Sequence, residues 1–153
     1  MRLLVTGGLG FIGSNFILRV LEKHPDIKIT NIDACLYGSN LRNLPRLKSQ
    51  KYSYVKGNII DKKIIDKLIL KSDIIVNFAA ESHVDRSISD PRPFIDSNII
   101  GVYTILEAIR KHKKRLIQIS TDEVFGSLKS GKANEEFPFN PSSPYAASKA
   151  SAE

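Results

Sequence analysis

The chain has 153 residues, 42% of them apolar and 25% charged, and a formal charge of +7. This composition suits one folded domain and excludes an intrinsically disordered one. No apolar run approaches the ~20 residues of a membrane span, and Cys35 is the single cysteine, which excludes an internal disulfide and suits a reducing, cytoplasmic setting.

The basic residues are spread over residues 42–51, 56–71 and 110–115. They are not gathered with aromatics around a nucleic-acid motif, so they read as solvated surface and no nucleic-acid partner is expected. The three histidines are scattered and predict no metal site.

In chain order, Arg2 to Thr6 forms an apolar strand, and Phe11, Ile12, Phe16, Ile17, Val20 and Leu21 then recur at helical spacing up to Lys23. The segment between them, Thr6-Gly7-Gly8-Leu9-Gly10-Phe11-Ile12-Gly13, sets its glycines as G-x-x-G-x-x-G. Gly7 suits a tight turn, Gly10 lets backbone approach a pyrophosphate, and Gly13 lets the helix lie close to the sheet. The N-terminus of that helix offers free N–H groups and a positive dipole end to the anion.

Residues 28–32 form a second strand that ends at Asp33. A carboxylate about 20 residues beyond the last glycine accepts hydrogen bonds from an adenosine ribose and repels a 2′-phosphate, which favours NAD over NADP. Residues 41–47 read as a short helix interrupted or opened by Pro45, and residues 52–56 as a third strand, followed by Asn58 in a loop suited to an adenine contact. Asp61 caps a helix carrying Ile64, Ile65, Leu68 and Ile69. Residues 73–78 form an apolar fourth strand, as expected for a parallel strand covered on both faces.

Pro91 and Pro93 introduce one long helix running through Phe94 to Ile109. Residues 116–120 are a fifth strand, residues 121–144 a loop rich in Gly, Ser, Asn and Pro, and a further helix begins near Tyr145. Alternating strands and helices require right-handed crossovers and a parallel sheet. The expectation is a Rossmann-type, doubly wound three-layer αβα domain over residues 1–153, with strand order 3-2-1-4-5 and ligands at the strand carboxyl ends.

Tyr145-Ala146-Ala147-Ser148-Lys149 is Y-x-x-x-K, and positions i and i+4 share a helix face. A nearby ammonium favours phenolate, so the tyrosine pKa is expected to fall from about 10 toward neutrality. Such a tyrosine takes a proton from a substrate hydroxyl while hydride leaves the same carbon. Thr121, Asp122 and Glu123 follow the fifth strand, where ligand-facing residues project. Thr121 can bind a hydroxyl, and the two carboxylates can serve as acid and base if their environments differ; read alone, such a pair is usually solvated loop.

Residues 6–16, 77–87, 120–126 and 142–150 together resemble the extended short-chain dehydrogenase/reductase family, and within it the branch of the dTDP-glucose 4,6-dehydratases. The acid pair Asp122–Glu123 distinguishes that branch from the sugar epimerases. The resemblance implies NAD as cofactor, held by Gly7, Gly10, Phe11, Ile12, Gly13, Asp33, Asn58, Ile59, Ala79, Ala80, Ser82, Asn98, Tyr145 and Lys149, and a nucleotide sugar, dTDP-glucose, as substrate, with His83 and Thr121 near it. It implies further that Tyr145 removes the 4-hydroxyl proton, Lys149 tunes Tyr145, Glu123 takes the C5 proton and Asp122 protonates the departing C6 hydroxyl. Asn58 stands where the family has aspartate, and Phe125 where a tyrosine is common.

Members of that family exceed three hundred residues, so the chain is expected to lack the substrate domain and to show little or no turnover alone. The short helix bearing Tyr145 and Lys149 is expected to fray, and the sheet to leave an open edge that favours self-association into a homo-oligomer. A nucleotide-sugar epimerase or decarboxylase on the same scaffold, and an NAD-binding module without catalysis, are the alternatives.

Overall fold

The computed structural model describes residues 1–44 and 50–153. Five parallel strands form one sheet in the order β3-β2-β1-β4-β5, with β1 at Arg2–Thr6, β2 at Lys28–Asp33, β3 at Tyr52–Lys56, β4 at Ile74–Asn77 and β5 at Arg115–Gln118. The strand order agrees with the sequence reading, β1 and β3 agree with their expected spans throughout, and the other three strands agree to within two residues at each end. Helices α1 (Phe11–Lys23), α2 (Lys62–Leu70) and α5 (Val102–His112) cover the faces of the sheet.

The period of two along β1 separates the core into two layers. Leu3 and Val5 join Leu9, Ile17 and Ile29 on one face, while Leu4 joins Ile32, Ile65, Ile69, Ile75 and Ile105 on the other. This is double winding read residue by residue, and it leaves the carboxyl ends of the strands open for a site. Asp61 caps α2 as expected, accepting from the N–H groups of Lys63 (2.9 Å) and Ile64 (3.1 Å).

Four features depart from the sequence reading. The long helix is divided: α4 (Arg92–Phe94) runs into a π-helical segment, Ile95–Gly101, before α5 begins. Amphipathic spacing cannot distinguish these, because a single wide turn barely disturbs a 3.6-residue period. A short helix, α3 (Val84–Ser89), follows β4 in a segment to which the sequence pattern assigns no element. Of the segment 41–47, Leu41–Asn43 is a 3-10 turn capped by Asn40, and residues 45–49 lie outside the described residues.

The fourth departure concerns α6 (Pro144–Ala150), which is formed and packed instead of frayed. Pro144 occupies its first turn, and Ser143 Oγ accepts from the Ala146 N–H at 3.0 Å. Tyr145, Ala146, Ser148 and Lys149 are buried. Tertiary contact with α3, α4 and the π-helical segment replaces the length that an isolated helix would need. β5 is the outer strand, and Ile117 on it is 51% exposed. No helix among the described residues is long and apolar enough to cross a membrane.

Candidate active site

A cleft of about 490 Å³ opens at the carboxyl ends of the strands, within the range of small-molecule sites. Gly7, Gly10, Phe11, Ile12, Gly13, Asp33, Asn58, Ile59, Ala79, Ala80, Ser82, His83, Tyr145 and Lys149 all line it. The glycine turn and the Y-x-x-x-K pair, distant in sequence, therefore meet in one cavity. Phe11 and Ile12 are 80% and 63% exposed at its mouth; apolar side chains so placed are an incentive for a ligand to cover them.

The turn is tight for stated reasons. Gly7 has φ +68, and a Cβ added there would lie 2.6 Å from the Ala79 nitrogen. A Cβ on Gly13 would lie 2.5 Å from the Gly7 carbonyl oxygen, so only glycine lets α1 start this close to β1. Gly10 precedes α1 with no side-chain cap, and no acidic residue lies in the first turn. The first N–H groups of α1 are thus left to face an anion.

Four polar side chains that support this turn escaped the sequence reading. Asn31 Oδ1 accepts from the Gly8 N–H at 3.1 Å. Thr6 Oγ1 donates to Asn77 Oδ1 and accepts from the Ala79 N–H, and Asn77 Nδ2 donates to Gln118 Oε1 at 2.8 Å. This row ties β1, β4 and β5 together just below the cleft. A polar residue inside each of several short apolar strands was the available signal, since buried polar groups require partners.

Asp33 is buried at the end of β2. Its carboxylate accepts from the N–H groups of Leu9 and Cys35, both at 2.9 Å, and from Ser39 Oγ at 2.8 Å. It therefore shapes the turn and the following loop as well as lining the cleft. Such a carboxylate has about four lone-pair sites, so one remains for a ligand hydroxyl.

Asn98 does not line the cleft. It is 1% exposed: its Oδ1 accepts from the Glu81 N–H, and its Nδ2 donates to the Glu81 carbonyl and to Ser148 Oγ, at 2.8–2.9 Å. The π-helical turn places it between the loop after β4 and α6, where it holds the Glu81 backbone and the Ser148 hydroxyl. Thr121, Asp122 and Glu123 sit beside the cleft and do not form its lining. Asp122 and Glu123 are exposed in a 3-10 turn (Asp122–Phe125) whose start is capped by Thr121.

Burial is the largest influence on Tyr145 and raises its pKa; a hydrogen bond with Thr121 opposes this, and the charges of Glu123 and Asp122 add to it. Lys149 is not among the influences on Tyr145: its Nζ donates to the Ile119 carbonyl at 2.5 Å, and burial lowers its own pKa. In the ligand-free chain Tyr145 is a proton-holding phenol. An ultraviolet difference titration against a Tyr145→Phe variant should show it ionising above the ordinary value of about 10. A midpoint below that value would mean that the lysine charge outweighs burial.

Comparison with known proteins agrees with this geometry. The family model described as GDP-mannose 4,6 dehydratase matches residues 4–153. The chain is 47% identical over 156 aligned positions to a dTDP-glucose 4,6-dehydratase of Mycobacterium tuberculosis, covering 100% of this chain and 47% of that protein. Among solved structures it is similar to the dTDP-glucose 4,6-dehydratase DesIV of Streptomyces venezuelae with NAD and TYD bound (TM-score 0.95, 42% identity, 99% of this chain and 49% of that one). It is also similar to the Bacillus anthracis dTDP-glucose 4,6-dehydratase in complex with NAD (TM-score 0.89, 46% identity, 99% and 48%). The chain spans about half the length of the curated relatives it matches. With its parallel sheet, its glycine turn and its tyrosine–lysine helix opening on one cleft, the chain belongs to the GDP-mannose 4,6-dehydratase family.

Proposed function

We propose that the cleft binds NAD and carries the cofactor side of a nucleotide-sugar 4,6-dehydration, with dTDP-glucose as the substrate and the 4-keto-6-deoxy sugar nucleotide as product. The observation that carries this reading is the convergence of an uncapped helix N-terminus, Asp33, and the Tyr145–Lys149 pair on one cavity. The two solved relatives that hold NAD support it. NAD, when bound, supplies the acceptor for the hydrogen of sugar C4 and returns it at C6.

The chain's own groups do the rest. The first turn of α1 faces the pyrophosphate, and Asp33 accepts from the adenosine ribose. Tyr145 takes the proton of the 4-hydroxyl, which Thr121 orients, and Lys149 lies along the nicotinamide ribose. Because Tyr145 is held as a phenol in the ligand-free chain, proton removal requires positive charge brought near it or the acidic neighbours neutralised. Glu123 takes the C5 proton and returns it to C5 as hydride reaches C6, and Asp122 donates to the leaving C6 hydroxyl. Their exposed positions give both carboxylates access to a sugar bound over the cleft.

Calorimetric titration with NAD+ and NADP+ tests the cofactor half. NAD+ should bind saturably and more tightly than NADP+, and Asp33→Ala should weaken NAD+ by about 10–100-fold, the size of a lost charge-assisted hydrogen bond. Melting curves separate this from a loss of fold. Incubation with dTDP-glucose, followed by proton NMR for a 4-keto-6-deoxy product, tests the second half. Binding without conversion would limit this chain to the cofactor role.

A further inference from the structure

The loops after β2 and β4 stand on opposite sides of the cleft, and one side chain joins them. The guanidinium carbon of Arg86, in α3, lies 4.0 Å from the centre of the Tyr37 ring. Its Nη1 lies 3.5 Å from Glu81 Oε2. The Tyr37 ring also meets His83 edge-on, with centroids 6.0 Å apart. Tyr37, Glu81 and His83 all line the cleft.

Burial does not hold this arrangement in place. Tyr37 is 64% exposed and its neighbour Leu36 55%. The other bonds of the segment tie it to its own side: Ser39 Oγ and the Cys35 N–H donate to Asp33, and the Asn40 N–H donates to the Leu9 carbonyl. Only the stack on Arg86 and the edge contact with His83 cross the cleft, among the described residues. At the far end Glu81 is a largely buried carboxylate whose side chain, among the described residues, pairs with Arg86. Burial raises the Glu81 pKa and the Arg86 charge pulls it back. The guanidinium thus has a fixed anchor on one side and an exposed aromatic face on the other.

We propose that Arg86 is a positioning residue for cofactor exchange, strapping the Tyr37 loop to Glu81 across the cleft mouth so that the strap must open before a dinucleotide enters or leaves. The proposal rests on the cofactor reading above. On this proposal the strap closes equally over the empty and the occupied cleft, so removing it should speed entry and release by the same factor and leave affinity unchanged. A residue that touched the cofactor would instead change affinity through release.

The test is stopped-flow fluorescence with NADH, with release measured by chasing with excess NAD+. Arg86→Ala and Tyr37→Ala should each raise both rates about fivefold, the size that one exposed cation–π contact supports. For Arg86→Ala the dissociation constant should stay within about twofold of the unaltered chain's, and the double variant should be no faster than either single one. Arg86→Lys, which keeps the charge beside Glu81 and loses the planar stack, should fall between. Unchanged rates, a fall in affinity with normal association, or additive effects would overturn the proposal. Backbone hydrogen exchange over residues 34–40 of the ligand-free chain gives a readout that needs no cofactor, and it should quicken in Arg86→Ala. Failure of the unaltered chain to bind NADH would sink the cofactor reading and the exchange role with it. Slow loop exchange that depends on Arg86 would still establish the tie itself.

Discussion

Gly7→Ala is expected to lower the thermal midpoint by roughly 6–12 °C, whereas Gly10→Ala, three residues on, should leave the fold nearly intact and damage ligand binding instead. At Gly7 a methyl group meets three obstacles that cannot move aside: the nitrogen and Cα of Ala79 at 2.6 and 2.7 Å and the Phe78 carbonyl carbon at 2.8 Å. All are backbone atoms of the chain leaving β4, which Thr6 holds in place through its own carbonyl and hydroxyl. The left-handed φ adds about 1–2 kcal/mol of strain, and with the clash a total near 3 kcal/mol follows, on the scale of a severe core overpacking. At Gly10 the backbone is extended, φ −71 and ψ 170, and the nearest atom to an added Cβ is the Gly7 oxygen at 3.4 Å. The fold should lose at most ~1 kcal/mol there. The methyl would, however, stand where backbone must approach a pyrophosphate, so NAD+ affinity should drop by more than about tenfold. Melting curves and calorimetry on the two variants measure both quantities. If they melt alike and bind alike, the turn does not divide its glycines between fold and ligand.

The contrast explains why the sheet was legible in the sequence and the site only in outline. β1 and β4 are short apolar runs and β2, β3 and β5 are short segments that mix apolar with polar residues, and such local signals survive folding unchanged. Asp61 could be recognised as a cap because its partners, Lys63 and Ile64, are its neighbours in sequence. The glycine turn, Asp33, Tyr145 and Lys149 were legible through their spacing relative to strands and helices. What could not be read were contacts whose two ends lie far apart. The Tyr145 N–H donates to Ser87 Oγ at 3.1 Å, and this seats α6 on a helix, α3, that had no sequence signal of its own. The ionisation of Tyr145 went the other way from the i, i+4 argument for the same reason. Burial by α4, through the edge-on contact with Phe94 at 6.3 Å, and the carboxylates after β5 are tertiary influences that the Y-x-x-x-K spacing does not contain.

Asn98→Ala should be the most damaging single change around α6, by about 3–5 kcal/mol, although the residue does not line the cleft. One amide satisfies the N–H and the carbonyl of Glu81 and the hydroxyl of Ser148, all buried. Alanine leaves the two backbone groups without partners, at ~1–3 kcal/mol each, and opens a gap at the π-helical turn. Ser148→Ala removes one of these bonds and the link from Ser148 Oγ to the Tyr145 carbonyl, so a loss of about 1–2 kcal/mol is expected. The double variant should fall short of the sum because the two share a bond. Denaturant unfolding of the three variants supplies the cycle. The same experiment separates the two roles open to Asn98. A residue whose amide held the cofactor would weaken NAD+ binding and leave stability in its absence unchanged. A residue that joins Glu81 to α6 lowers the unfolding free energy of the ligand-free chain first, and NAD+ affinity falls only because Ala79, Ala80 and Tyr145 no longer keep their spacing.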